Sequence, residues 1–323
     1  MKRVIIDTDP GIDDALALFL ALKSPELKVE AITTVAGNVP VEECTRNIFT
    51  ILGLLNPEPR PVVARGAARP LQRELRTASE VHGSDGLGGL SRYRNVDGLP
   101  RYPEPSMRLT SVRAADLILE LVGRYPGEIT LITLGPLTNI AQALLRDRDQ
   151  MRKVSEVVSM GGVFLVPGNT SATAEFNITT DPEAAQIVFA SGLPLTLIPL
   201  DVTERVRLSG EALHTWVEPL ADLPAQFLLD CTAQVIAFSE KWEGFAGITL
   251  HDPLTVGVVI DRRLVKTRSL YVQVETKGEI TTGMTVADRR PFRAEGRPNL
   301  EVALEVDVDR FLSLFMERLC RRS

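Results

Sequence analysis

The sequence predicts an α/β protein. The expected architecture is Rossmann-like, a mostly parallel (mixed) central sheet with helices on both faces. Two observations predict it. Strand-like and helix-like segments alternate along much of the 323 residues, and such alternation favours parallel strands joined by covering helices. No internal repeat, low-complexity stretch or convincing linker interrupts the pattern, so residues 1–323 are read as a single domain. Sheets of this kind bind ligands at the carboxyl ends of their strands, and the search for chemistry starts there.

The elements follow in order. Val4 to Asp7 is a short β-branched strand, and Asp13 to Lys23 carries Leu16, Leu18, Phe19, Leu20 and Leu22 in a helical core pattern. Lys28 to Ala36 reads as a buried strand and Val41 to Leu55 as a helix. Glu128 to Leu134 is a strand, with a helix from Pro136 to Leu145 after it. Val154 to Met160 and Pro194 to Leu200 are further strands. Asp181-Pro182-Glu183 starts a helix, with Asp as N-cap and Pro at the first helical position. Asn56 to Pro105 and Glu218 to Ile248 read as loop-rich.

Composition narrows the function classes. A hydrophobic share of 44% and a charged share of 24% fit a folded globular chain rather than a disordered one. The net charge of -6 argues against a nucleic-acid or anionic-membrane partner. Cys44, Cys231 and Cys320 form no C-x-x-C pair, which excludes a zinc ribbon or redox dithiol and fits a reducing compartment. The start MKRVIIDTD is not a signal peptide, and no apolar run is long enough to span a bilayer. The expected location is cytoplasmic.

The chemistry concentrates in IIDTDPGIDDA. Asp7, Asp9, Asp13 and Asp14 straddle the Pro10-Gly11 turn between the first strand and the first helix. Four carboxylates this close repel one another unless a cation joins them. The absence of nearby Cys or His favours a hard cation, calcium or magnesium, over zinc. Two alternatives stand beside this. Asp13 and Asp14 also suit a first helical turn as simple caps. Asp7-x-Asp9 after an apolar strand partly matches a magnesium-dependent phosphatase of haloacid-dehalogenase type, although Gly11 stands where that signature has Thr or Val.

Later segments extend the pattern: AITTVAGN (Ala31 to Asn38), HGSDGLGG (His82 to Gly89), LGPLTNIA (Leu134 to Ala141), MGG (Met160 to Gly162), GNTSATAEFNITTDPEAA (Gly168 to Ala185) and HDP (His251 to Pro253). In this order and together with DTDPGIDDA, the set closely resembles the inosine-uridine preferring nucleoside hydrolase family. The resemblance implies hydrolysis of the N-glycosidic bond of ribonucleosides, pyrimidine or purine, to ribose and free base. It also implies a calcium ion held by Asp9, Asp14, Asp252 and the Leu134 carbonyl, and a homo-oligomer, dimer or tetramer. Asp13 matches the general base that deprotonates a calcium-bound water. Asn38, Asn169, Glu175 and Asn177 match residues that hold the ribose. Met160 and Phe176 fall beside the sugar, and His82 and His251 beside the nucleobase. His251 is the candidate donor to the leaving base, and its presence fits pyrimidine-preferring or tolerant members better than strict purine specialists. Phe238, Trp242 and Phe245 are open candidates for stacking on the base or for simple packing. His214 matches no motif and reads as structural. A riboside-binding protein without turnover is the remaining alternative, disfavoured because Asp13 is intact.

Overall fold

A computed structural model of the chain describes residues 1–290 and 296–321. Its strands are β1 (Lys2–Thr8), β2 (Leu27–Thr34), β3 (Val62–Arg65), β4 (Ile129–Thr133), β5 (Glu156–Met160), β6 (Leu195–Ile198), β7 (Arg207–Ser209), β8 (Gly247–Thr249), β9 (Val265–Leu270), β10 (Val272–Val274), β11 (Thr285–Ala287) and β12 (Leu300–Val306). The helices are α1 (Ile12–Leu22), α2 (Val41–Leu55), α3 (Ser79–His82), α4 (Ala114–Arg124), α5 (Thr138–Arg146), α6 (Arg148–Met151), α7 (Phe176–Thr180), α8 (Pro182–Phe189), α9 (Leu200–Thr203), α10 (Gly210–Val217), α11 (Leu223–Glu243), α12 (His251–Ile260) and α13 (Val308–Leu319).

The main sheet has eight strands in the order β3-β2-β1-β4-β5-β6-β12-β9. Every neighbouring pair is parallel except β12 and β9. The chain builds outward from β1 to β3, then returns to β4 on the other side of β1. That reversal makes the gap between β1 and β4 a topological switch point, where open α/β sheets place their ligands. Register levels the strand ends there, with Asp7 beside Thr33 of β2 and Thr133 of β4.

The central strands β1, β4, β5 and β6 are buried on both faces, as parallel strands covered by helices must be. Val4 and Ile6 of β1 and Ile132 of β4 enter the core that holds α1, α11, α12 and α13. Ile5 of β1 and Leu131 of β4 point the opposite way, into the core of α4, α5 and α8. The period of two along each strand thus feeds two apolar layers. Helix α1 is apolar almost all round, because it lies between the sheet and an outer layer. Phe19 of α1 stacks on Phe227 of α11 with centroids 5.6 Å apart, and Tyr102 meets Phe227 edge-on at 5.7 Å. These pairs fix α11 against the helix that begins with the aspartates.

One expectation is overturned. Glu218 to Ile248 is not loop-rich, since α11 runs for 21 residues within it. The side chain of Asp222 caps its start, Pro224 lies in the first turn and Gly244 ends it with φ 67°. Small and polar residues such as Thr232 and Ser239 occupy buried positions on α11, which dilutes its apolar periodicity. Asn56 to Pro105 is largely irregular, as read, but contains β3 and α3. No helix among the described residues is long and apolar enough to cross a membrane.

Candidate active site

The turn after β1 assembles the acidic cluster. Asp14 folds back over the start of α1, where Oδ2 accepts from Gly11 N at 2.9 Å and from Asn38 Nδ2 at 3.1 Å. Thr8 Oγ1 donates to the other oxygen. Asn38 N donates to Asp9 Oδ2 at 2.8 Å, and Asn38 Nδ2 reaches Asp9 O at 3.2 Å. Asp9 is fully buried, and its Oδ1 has no partner among the described residues. A Cβ on Gly37 would collide with Oδ2, and one on Gly135 with Oδ1. Both glycines are therefore required by close approach. Gly135→Ala should displace the Asp9 carboxylate and destabilise the fold by about 1–3 kcal/mol, as overpacking does; urea denaturation checks it, and an unchanged midpoint would contradict the contact.

Asp252 comes from the far end of the chain. It opens α12 beside His251 and brings its carboxylate to the same point, so that oxygens of Asp13, Asp14 and Asp252 lie within 4.8 Å of one another. Burial pushes the Asp13 carboxyl up to about 7, with Asp14 adding to the effect. Burial and the neighbouring carboxylates hold Asp9 and Asp252 well above the usual range. Such a cluster is costly when ionised and empty. An orphaned buried carboxylate oxygen on Asp9 and an all-oxygen donor set fit a hard divalent cation. The Leu134 carbonyl at the end of β4 is the remaining predicted ligand; Asn177 Nδ2 donates to it at 2.6 Å.

A cavity of about 270 Å³ opens above the cluster. Asp13, Asn38, Leu134, Met160, Glu175 and Asn177 line it with Asp252, and so do His82, Asn169, Phe176 and His251. Asp9 and Asp14 lie beneath, buried. Glu175 caps α7 by accepting from Asn177 N at 2.8 Å and Ile178 N at 3.1 Å, and it also accepts from Gly162 N at 3.0 Å. Burial still raises its carboxyl to about 7. Asn169 Oδ1 accepts from Phe176 N at 2.9 Å.

The two imidazoles are held differently. Ile12 N donates to His82 Nδ1 at 3.0 Å. A backbone N–H can only donate, so the proton of the neutral His82 ring sits on Nε2. His251 Nδ1 pairs with Thr203 Oγ1 at 2.8 Å. Burial lowers both rings to about 4, so both are neutral near pH 7. Among the three aromatics, Phe238 lines the cavity. Trp242 is 67% exposed with Lys241 over its ring, and Phe245 packs beneath Arg207.

The model of the inosine-uridine preferring nucleoside hydrolase family matches residues 4–313. The chain belongs to that family. It is 41% identical to the pyrimidine-specific ribonucleoside hydrolase RihA of Salmonella gallinarum, with 98% of this chain and 97% of the relative covered. Among solved structures, the plant nucleoside hydrolase PpNRh1 superposes with a TM-score of 0.88 at 36% identity, covering 99% of both chains. A purine-preferring ribonucleoside hydrolase from Gardnerella vaginalis gives 0.90 at 34%, covering 99% of this chain and 98% of the other.

This nucleoside hydrolase uses residues that sequence reasoning missed. Thr8, beneath Asp14, lies inside the DTDPGIDDA segment but was passed over among its aspartates, and Thr203, behind His251, lies in a stretch that carries no motif. Asn139 lies within the LGPLTNIA segment, yet its role shows only in three dimensions. It donates to Asp7 Oδ1 at 2.8 Å and Thr34 O at 3.0 Å and accepts from Ala67 N at 2.9 Å, tying the ends of β1 and β2 to the segment after β3. Of the wall built by α11 only Phe238 was singled out as a candidate, and the rest was hidden because that helix read as loop.

Proposed function

We propose that the chain hydrolyses the N-glycosidic bond of ribonucleosides to ribose and free base, with pyrimidine nucleosides as its main substrates. The observation that carries this is the convergence of the Asp13, Asp14 and Asp252 carboxylates at one end of a cavity whose other end presents Val81, Val235 and Phe238. The higher identity to a pyrimidine-specific relative than to a purine-preferring one supports the base class. Residues 1–323 act as one domain. We also assign calcium as the ion, a homo-oligomeric state and a cytoplasmic location; three free thiols support the last.

Asp9, Asp14, Asp252 and the Leu134 carbonyl would hold the ion. A calcium ion held there would supply positive charge to the ribose hydroxyls and would lower the pKa of a nearby water. Asp13 accepts a proton from that water at short range. Asn38, Asn169, Glu175 and Asn177 hold the sugar while the C1′–N bond lengthens toward an oxocarbenium-like ribosyl species. Water oxygen bonds to C1′, and the bond electrons leave with the base, which finally takes up a proton. Met160 and Phe176 pack beside the ring.

His251 starts neutral, so its part is hydrogen bonding to the departing base rather than release of a stored proton. His82, with its Nε2 proton, is the second donor. His251→Ala should lower kcat on uridine by about 10²-fold or more, and far less on a riboside with an activated leaving group. Equal losses on both would contradict a leaving-group role.

The direct test is ribose release from uridine, cytidine, inosine and adenosine, with calcium and with a chelator. No release from any of them in calcium would reject the reading; faster turnover of the purines would reject the base class.

A further inference from the structure

The polar floor of the cavity suits the ribose, which leaves the wall of α3 and α11 for the heterocycle. Val235, Phe238, Ser239 and Glu243 lie at i, i+3, i+4 and i+8 on α11 and line one side. Glu80 and Val81 of α3 face them. Gln234 Nε2 donates to Val81 O at 3.4 Å and ties the two walls together.

The charge of this end is one-sided. Glu80 and Glu243 are exposed, and no ion pair or hydrogen bond engages either among the described residues. No Lys or Arg among the described residues lines the cavity. Lys241 covers Trp242, and Arg207 lies over Phe245 and donates to Glu204 O at 3.2 Å, although its charge is still felt at His251. A cation bound among the aspartates would offset the floor and leave the two glutamates uncompensated. His82 accepts from the Ile12 N–H at Nδ1, so its ring is uncharged and adds no opposing charge. The Phe238 ring adds a π-face, which attracts cations.

We propose that Glu80 and Glu243 bias the enzyme toward ribonucleosides whose heterocycle carries positive charge or an amino group on its outer edge. Cytidine is then favoured over uridine, and a cationic methylated base over its neutral counterpart. The proposal rests on the nucleosidase reading and deepens it. It assigns selectivity to two rim carboxylates that touch neither the sugar nor the scissile bond.

The test uses two matched pairs, cytidine with uridine and 3-methylcytidine with 3-methyluridine. The methylated pair has nearly the same shape but differs by one positive charge at neutral pH. Intrinsic leaving-group differences cancel when the ratio of kcat/KM within a pair is compared between enzymes. Exposed charges are screened, so the ratio for the methylated pair should fall about threefold to tenfold in the Glu80→Gln, Glu243→Gln double variant. Glu243→Lys should lower it further than Glu243→Gln. In the parent enzyme the ratio should also shrink toward about 1 M salt, where the Debye length is about 3 Å. Turnover of uridine with ratios unmoved by charge or salt overturns this proposal alone. No turnover of any nucleoside overturns the nucleosidase reading and the proposal with it.

Discussion

Asp13→Asn should lower kcat on uridine by about 10²- to 10⁴-fold, the range that general base catalysis supplies, while calcium affinity stays within a few-fold of the parent. Asn keeps the shape of the side chain but cannot take a proton. Burial and Asp14 hold the Asp13 carboxyl above the ordinary carboxylate range in the metal-free site, which makes it a stronger proton acceptor than an exposed aspartate. Single-turnover kinetics and calorimetric calcium titration separate two roles. The Asp13, Asp14 and Asp252 oxygens lie within 4.8 Å of one another, so Asp13 is near enough to serve as an ion ligand itself. The proposed reading gives that place to Asp9, whose buried Oδ1 has no partner among the described residues. If Asp13 is a ligand, the variant loses calcium affinity in step with turnover; if it is the base, affinity survives. Turnover near the parent level would reject both roles.

Much of this site was legible because the chain writes it in compact blocks. The apolar run of β1 ends at the aspartates, and the register of β1 with β2 and β4 makes that end the rim of the sheet. The helix expected over Val41 to Leu55 matches α2, because its apolar residues recur at helical spacing before Asn56 ends it in a left-handed conformation. Asp181 caps α8 as read, accepting from Ala184 N at 3.0 Å. Two things were not legible. Strand order is a property of the whole sheet, and no local pattern says that β4 returns beside β1. The wall for the base is the second. Helix α11 carries Thr232 and Ser239 on its buried side, and its value to the site depends on contacts such as Phe19 with Phe227, more than 200 residues apart. The partner of His251 is likewise a threonine 48 residues away, with no spacing rule to announce it.

Stripping calcium should abolish turnover, and the stabilisation that calcium gives should grow as pH rises from about 5 to about 8. The sign follows from the carboxyls. Asp7 and Asp13 are raised to about 7 and Asp9 and Asp252 well above the usual range, all chiefly by burial. An acid whose folded pKa is raised favours folding in its protonated form. Its contribution is fully present below the unfolded value, about 4, and is lost as pH passes the folded value. The metal-free protein should therefore lose stability as pH climbs through about 7. The ion binds the ionised ligands, so protons compete with it at pH 5 and cease to compete near pH 8. At a calcium concentration of 100 times Kd, binding adds about 2.7 kcal/mol, a rise of several degrees in Tm for a chain of this size. Magnesium should add less, because it demands near-ideal octahedral geometry and gives up its waters reluctantly. Thermal melts with chelator, calcium or magnesium at several pH values check this. A calcium shift that is flat or shrinking with pH would mean that the ion, if it binds, does so away from these aspartates.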